Sequence, residues 1–281
     1  MIITSYYNPL GFKTRRENYE RFKAELGHSL LTVECAFGND PFTLEDSVKV
    51  RANSTLWQKE RLLRIGEALL PKNQDYVVWL DCDIIFENPN WLEETRELLK
   101  EYNFVQPFGV ANRRFKDWSI EGTWESFGKK YSEGVRSDVF EEHGHTGFAF
   151  ACRRDKFAMY DRAIVGTADH IMFHAMIGQL PCKCIDKAFG GVLRGHIYEW
   201  SRKYYNTIKG SLHYTEGSID HLYHGAYVHR KYLQRVQELT MLNYNPYTDV
   251  YTNKDGLLEL KRPDIQEWLL KYFESRREDE E

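Results

Sequence analysis

The sequence lacks both an apolar run long enough to cross a membrane and a basic excess that would attract nucleic acid. No stretch approaches the length of about 18 apolar residues that a spanning helix needs, and no basic segment followed by an apolar one stands at the start. The formal net charge is −4, so no global positive field favours a polyanionic partner, although a local basic groove remains compatible with it. We therefore expect a cytoplasmic protein without stable membrane insertion.

Cysteine is also scarce, and its pattern argues against a disulfide framework. The five cysteines are odd in number and lie mostly in apolar strand-like segments, which favours a reducing compartment. Cys182 and Cys184 form a close pair, but no second Cys or His pair stands at zinc spacing, so the sequence argues against a structural zinc. The set comprises Cys35, Cys82, Cys152, Cys182 and Cys184.

What the chain does have is enough apolar material for one large α/β domain, with or without an extension: 281 residues, 42% of them hydrophobic. Strand-like and helix-like segments alternate through residue 108, which predicts a doubly wound, mostly parallel sheet. Residues 109–145 are polar and aromatic without a clear period and are expected to be a long loop, as is the region after about 185. The predicted strands are 2–7, 31–37, 77–86, 103–108 and 146–152, and the predicted helices are 12–26, 55–71, 91–102, 168–180, 228–242 and 263–278.

The most informative segment is Asp81-Cys82-Asp83, which follows an apolar strand. This order places both carboxylates at the carboxyl end of a buried strand, the edge where open α/β sheets bind ligands. Two hard oxygen donors there suit Mg²⁺ or Mn²⁺ carrying a diphosphate. The alternative is that they are ordinary solvated turn residues.

Two further segments carry candidate chemistry. Asp169 begins a predicted helix after a Gly-containing loop and is either a helix cap or a general base. His221 and His224 stand in a Tyr-rich stretch, and imidazole can complete a coordination sphere begun by carboxylates. Three residues apart on a strand, the two rings would point to opposite faces, so we expect one of them to be a ligand.

In this order the segments resemble the glycosyltransferases of the GT-A fold, over most of the chain. LDCDIIF (80–86) is similar to their D-x-D strand, and the stretch from 146 to 173 is similar to one in polypeptide N-acetylgalactosaminyltransferases and β-1,4-galactosyltransferases. SIDHLYHG (218–225) is similar to their V-G-H-x-F-R segment, and the C-terminal part looks like that of small bacterial and phage-type members. The resemblance implies a GT-A domain over 1–225, with a nucleotide-binding half (1–108) and an acceptor half (109–225), and a helical extension over 226–281.

The resemblance also implies a role for individual residues. Asp169 takes the place of the catalytic carboxylate, Asp83 and His221 those of metal ligands, and His224 that of an arginine on the diphosphate. Asp81 is a second metal ligand or a contact to the ribose, directly or through water. The remaining donor contacts would come from Tyr7, Asn8, Glu34, Trp57 and Lys59. For Trp57 core packing is an equal alternative, as is a solvated helix face for Lys59.

The function implied is metal-dependent transfer of a sugar from a nucleotide-sugar, expected to be UDP-linked, to a hydroxyl group, with inversion if Asp169 is the base. The acceptor is either a glycan or a hydroxymethylated base in DNA. The DNA alternative is motivated by cationic and aromatic residues within 109–136. Other readings are a sugar-nucleotidyltransferase, which should have a Gly-rich phosphate loop where Tyr6 to Pro9 stand, and a non-catalytic carbohydrate-binding protein.

Overall fold

The computed structural model describes residues 1–154 and 156–280. Thirteen strands and nine α-helices are described in this part of the chain. The strands are β1 (Ile2–Tyr7), β2 (Leu30–Phe37), β3 (Val48–Ala52), β4 (Tyr76–Leu80), β5 (Ile84–Phe86), β6 (Phe104–Gln106), β7 (Val110–Arg114), β8 (Ile120–Glu125), β9 (Ala149–Arg153), β10 (Leu212–Tyr214), β11 (Ser218–His221), β12 (Val250–Thr252) and β13 (Leu258–Leu260). The helices are α1 (Lys13–Glu25), α2 (Lys59–Ala68), α3 (Trp91–Glu101), α4 (Phe127–Ser132), α5 (Ala168–Met176), α6 (Lys183–Ala188), α7 (Gly191–Ile208), α8 (Tyr232–Met241) and α9 (Pro263–Glu274).

A seven-stranded sheet forms the centre of the protein. Its order is β3-β2-β1-β4-β9-β6-β10, and the strands are parallel except β9, which runs antiparallel to both of its neighbours. This mixed α/β architecture with a mostly parallel sheet confirms the fold class predicted from the alternating segments.

Both faces of the central sheet are covered, as its strand sequences require. In β4, Val77 and Trp79 belong to one buried cluster and Val78 and Leu80 to the other, because successive side chains point to opposite faces. The first cluster includes side chains from α2 and α5, and the second includes side chains from α1 and α3. A strand buried on both faces therefore delivers the acidic turn to the sheet's carboxyl edge.

A smaller four-stranded sheet, in the order β5-β11-β7-β8, adjoins that edge. The antiparallel pairing of β5 with β11 places His221 opposite Ile84, next to Asp83. The backbone N–H of Leu222 donates to the Asp83 carbonyl at 2.8 Å and extends this pairing. The small sheet thus brings the acidic turn and the histidine segment together.

Several local predictions were wrong. The expected loop at 109–145 contains the β7–β8 hairpin and α4. The alternation of apolar and polar residues typical of a strand is not visible in β7, because one inward-facing position is held by a charged residue, Arg113, which is buried and pairs with Glu121 at 2.6 Å. The expected loop after 185 contains α6 and the 18-residue α7. The buried stripe of α7 is narrow and partly polar, so its period was weak in a Tyr-rich sequence; it comprises Leu193, Ile197, Ser201 and Ile208.

The start of α2 also differs from the prediction. The helix begins at Lys59 rather than within 55–58, and no side chain caps it. The amide of Gln58 instead donates to the Leu258 carbonyl at 2.7 Å, because the β13 backbone lies against this helix start. Strand β3, just before it, was not predicted.

The segment after residue 225 consists of a 3₁₀ turn (Tyr227–Arg230), α8, the β12–β13 hairpin and α9. Its apolar side chains join the same buried cluster as the central sheet, through Val236, Leu258 and Phe273 among others. The predicted division at residue 225 stays a prediction. Among the described residues, no helix combines the length and apolar character needed to cross a membrane.

Candidate functional site

The first carboxylate of the acidic turn, Asp81, is held by a lysine. Lys59 Nζ lies 2.5 Å from Asp81 Oδ1, and both side chains are largely buried. Burial disfavours the ammonium ion, but the carboxylates of Asp81, Glu60 and Asp169 outweigh it and raise the pKa of Lys59. Burial raises the pKa of Asp81, and Lys59 opposes this effect. Lys59 is therefore a fixed cation at the strand end and is not a solvated side chain.

The second carboxylate, Asp83, faces both histidines. Its Oδ2 atom lies 3.4 Å from His224 Nε2 and 3.7 Å from His221 Nε2, and the two Nε2 atoms are 2.8 Å apart. The expectation that the rings point to opposite faces was wrong, because β11 ends at His221 and strand alternation does not extend to His224. Burial disfavours the Asp83 carboxylate, yet His221 in particular keeps its pKa below the usual value.

These three residues fit a divalent metal ion. Their candidate ligand atoms lie within 4.8 Å of one another, and Asp81 is not in this group. Asp83 Oδ1 and His221 Nδ1 are buried without a hydrogen-bond partner, which is costly unless something else satisfies them. One carboxylate and imidazole nitrogen form a mixed N/O donor set that Mn²⁺ accepts.

An arginine cage, formed by the buried Arg230 and Arg276 and the partly buried Arg15, adjoins this cluster. Arg230 donates to the His224 carbonyl at 2.5 Å and also contacts His224 Nδ1. Arg15 and Arg276 both bind the carboxylate of Glu278, whose side chain is 0% exposed, at 2.5 Å, and Arg230 lies 3.7 Å from it. Three cations against one carboxylate leave a local positive excess beside Asp83.

Asp169 lies in the first turn of α5, close enough to Lys59 and Asp81 to influence the pKa of each. Thr146 Oγ1 lies 3.5 Å from Asp169 Oδ2, and His145 stacks on Phe148 with ring centroids 4.1 Å apart. A Cβ atom on Gly147 would lie 2.8 Å from His145 Cε1 and 3.0 Å from Asp169 Oδ2, so a side chain there would displace both. Burial lowers the pKa of His145 to about 4, which keeps the ring neutral at pH 7.

Of the predicted nucleotide contacts, Tyr7 ends β1, Asn8 follows it and Glu34 lies within β2. Their side chains also organise the protein. Asn8 closes a turn by exchanging two hydrogen bonds with the Phe12 backbone. Glu34 Oε1 accepts from the Thr43 backbone N–H at 2.6 Å, and Glu34 Oε2 accepts from the Ser47 hydroxyl at 2.8 Å. Tyr7 packs edge-on against Trp57 at 5.7 Å.

Trp57 has further contacts of its own. The guanidinium groups of Arg235 and Arg276 lie 5.6 and 5.4 Å from its ring, and its buried Nε1 has no partner. Packing and base stacking at Trp57 therefore both remain predictions, as do the nucleotide contacts of Tyr7, Asn8 and Glu34.

Five residues of this region were not assigned a role from the sequence: Arg15, Glu60, Arg230, Arg276 and Glu278. Glu278 belongs to an acidic stretch, 278–281, which by its sequence is an ordinary solvated segment. Glu60 is buried beside Lys59, and burial raises its pKa to about 8 although Lys59 opposes this. Only Arg230 could have been proposed as a site residue from the sequence, because it lies in a basic stretch shortly after the histidine segment. The others come from distant parts of the chain.

No protein-family model matches the chain, and no curated protein matches it. Solved structures do. One is a Drosophila β1,4-galactosyltransferase 7 mutant in complex with manganese, UDP-Gal and xylobiose, which is 12% identical in sequence. The alignment covers 95% of this chain and 98% of that protein's chain, with a TM-score of 0.38.

A second is a structure of residues 1–349 of S. aureus TarS, which is 9% identical. The alignment covers 98% of this chain and 70% of the TarS chain, with a TM-score of 0.36. A third is a 4-diphosphocytidyl-2C-methyl-D-erythritol synthase from Anaerococcus prevotii, which is 12% identical. The alignment covers 77% of this chain and 87% of the synthase chain, with a TM-score of 0.33. At this level of similarity, the function has to be argued from this chain's own residues.

Proposed function

We propose that this protein is a metal-dependent glycosyltransferase that moves a sugar from a nucleotide-sugar to a hydroxyl acceptor. The observation that carries the proposal is the convergence of Asp83, His221 and His224 with the arginine cage at the carboxyl edge of the central sheet. Such an edge is where open α/β sheets bind nucleotides. Metal ligands and guanidinium groups together suit a nucleoside diphosphate.

In the donor half of the site, Asp83 and His221 would hold Mn²⁺ or Mg²⁺, which when bound neutralises charge on the leaving diphosphate. A guanidinium group can only donate, so its contact with His224 Nδ1 keeps the His224 proton on Nε2. That proton is shared with His221 Nε2 at 2.8 Å, so a metal ion on His221 would replace this hydrogen bond. On this assignment His221 is the metal ligand, and His224 and Arg230 would face the diphosphate. Lys59 holds Asp81 in place and adds positive charge at the strand end.

In the acceptor half, Asp169 serves as the general base. It takes the proton of the acceptor hydroxyl as that oxygen attacks the anomeric carbon, the bond from that carbon to the diphosphate oxygen breaks, and the configuration inverts. The helix start favours a carboxylate at this position, and the small Gly147 leaves room beside it. The neutral His145 next to it is not a competing cation.

Replacing Asp169 by asparagine removes the base but keeps the size of the side chain. We expect kcat to fall by about 10²–10⁴-fold while donor affinity stays the same, because general-base catalysis contributes that much and Asp169 does not bind the diphosphate. Steady-state kinetics and calorimetric titration with the donor measure the two effects. Asp46→Asn, at an exposed loop aspartate, is the control. A variant with unchanged kcat would exclude Asp169 as the base.

The acceptor proposed here is a glycan. The cations that motivated the DNA alternative are paired within the protein: Arg114 binds Asp220 at 2.8 Å, and Lys129 and Lys130 both bind Glu125. Arg113 is buried against Glu121. Cations neutralised in this way give little attraction to a phosphate backbone. Exposed aromatic rings in the same hairpin, such as Phe115 and Trp124, suit a sugar face, whereas the Arg21 guanidinium lies over the Trp118 ring at 3.8 Å.

A mass-spectrometric screen tests this function. Nucleotide-sugars are offered with oligosaccharides or with hydroxymethylated DNA, in the presence of Mn²⁺ or EDTA. We expect metal-dependent mass gain on an oligosaccharide. Gain on DNA would replace the glycan acceptor. In a parallel reaction supplied with a nucleoside triphosphate and a sugar phosphate, release of pyrophosphate would indicate a nucleotidyltransferase. Donor binding without turnover on any acceptor or on water would indicate a binding protein.

A further inference from the structure

A second group of metal-ligating side chains lies on α5, on the segment before β9 and at the start of α6. His143, His170, His174 and Cys184 place one candidate ligand atom each within 4.8 Å of the others. His170 and His174 stand one turn apart on the same face of α5. None of the four belongs to the site that contains Asp83.

The imidazole nitrogens of this group are buried and unsatisfied. His143, His170 and His174 are 3%, 5% and 0% exposed, and His143 Nε2, His170 Nδ1 and His174 Nε2 have no hydrogen-bond partner. A buried polar atom left without a partner is costly, so three in one place need an explanation. Packing of aromatic rings alone, at centroid distances of 4.8–5.0 Å, does not satisfy these nitrogens.

Neighbouring acceptors fix the tautomer of two of the rings. His143 Nδ1 lies 2.8 Å from the Gly144 carbonyl, and His174 Nδ1 lies 2.9 Å from Gln179 Oε1. Because these oxygens accept, each Nδ1 carries the proton, and each buried Nε2 keeps a lone pair that no hydrogen bond uses. Metal-bound histidines are held in the same way by an acceptor on the second ring nitrogen.

We propose that His143, His170, His174 and Cys184 bind one Zn²⁺ ion. Three imidazole nitrogens and one thiolate complete a tetrahedral N₃S sphere, and four protein ligands leave no open position, as in structural zinc sites. Binding displaces the proton of the Cys184 thiol to solvent. The expectation that no structural zinc is bound rested on the lack of a second Cys or His pair at zinc spacing. His170 and His174, four residues apart, are such a pair and were overlooked.

The ion would connect three segments that no disulfide joins. It would fix the segment before β9 and the start of α6 onto α5, the helix whose first turn carries Asp169 directly before His170. The site is thus structural, and its existence does not depend on the sugar-transfer proposal.

Cobalt substitution tests the site, because a thiolate ligand gives tetrahedral Co²⁺ a charge-transfer band that the Asp83 cluster, without sulfur, cannot produce. Purified protein is depleted with a chelator and titrated with Co²⁺, and zinc is measured before depletion by mass spectrometry. We expect about one zinc per chain and a cobalt–thiolate band that Zn²⁺ displaces. The band should vanish in Cys184→Ser and His143→Gln and persist in Asp83→Ala.

Two controls keep the outcome decisive. His196→Gln changes a helical histidine outside the group, which contacts Tyr160 instead, and should leave the band intact. If a cluster variant fails to fold by circular dichroism, the wild type gives the answer: Cys184 should resist alkylation with Zn²⁺ bound and react after chelation. A folded wild type that shows no thiolate band, or alkylation of Cys184 that ignores Zn²⁺, would overturn the proposal.

Discussion

Replacing Asp83 by alanine should lower kcat/KM for sugar transfer on the order of 10³-fold or more, which corresponds to about 4 kcal/mol of transition-state stabilisation. The side chain contributes the carboxylate of the metal-ligand group, and its Oδ2 faces both histidine Nε2 atoms. Without it, the bound ion that would neutralise the departing diphosphate loses its anionic ligand. Activity at saturating Mn²⁺ should therefore not recover.

The measurement is kcat/KM as a function of Mn²⁺ concentration, with donor binding followed in parallel. Asp46→Ala, at an exposed aspartate, is the matched control and should behave as the wild type. His221→Ala should resemble Asp83→Ala, whereas His224→Ala should weaken donor binding more than metal binding if Arg230 fixes its tautomer. Full metal-dependent activity in Asp83→Ala would contradict the proposed site.

The central part of the fold could be predicted from the sequence because its signals are local. An apolar run followed by two carboxylates is sufficient to predict a buried strand with an acidic turn at its end, and β4 confirms this. The resemblance in the order of segments also placed Asp169 and His221 at the same edge as Asp83. Asp83 follows a strand of strong pattern and Asp169 lies in the first turn of a predicted helix, whereas His221 reaches Asp83 through the pairing of β11 with β5.

The rest could not be predicted because it depends on long-range pairing. His224 joins Asp83 only because β11 stops at His221 and pairs with β5. Arg15 and Glu278, at opposite ends of the chain, have no pattern that reveals their contact at 2.5 Å. In the group around His174, the spacing of His170 and His174 is visible in the sequence, but His143 and Cys184 join them only through the fold. The periodicity of apolar residues describes one helix or strand at a time and carries no information about contacts between distant segments.

Replacing Glu278 by alanine should destabilise the protein by about 3–5 kcal/mol, although the residue lies three positions from the C-terminus. Its side chain is 0% exposed and binds Arg15 and Arg276 directly. Its loss leaves the buried Arg276 and the partly buried Arg15 without their carboxylate partner, and the buried Arg230 lies close by. Urea denaturation at pH 7 measures the change. Glu280→Ala, in the exposed part of the same tail, is the control and should stay within about 0.5 kcal/mol of the wild type. An equal, small effect of both substitutions would show that the cage does not contribute to folding.

The same carboxylate should make stability depend on acid pH. Burial would raise the pKa of Glu278, but Arg15, Arg276 and Arg230 outweigh burial and hold it far below its usual value. Because the folded-state pKa lies below the unfolded value of about 4.3, its contribution is fully present above that value and is lost as the pH falls towards the folded pKa. Glu278→Gln keeps the shape of the side chain but cannot titrate. The difference in unfolding free energy between the wild type and Glu278→Gln should therefore be constant from pH 7 to about pH 5 and shrink below it. A difference that stayed constant down to pH 3 would mean that Glu278 does not titrate between the two states, and that the arginine cage is held together by other contacts.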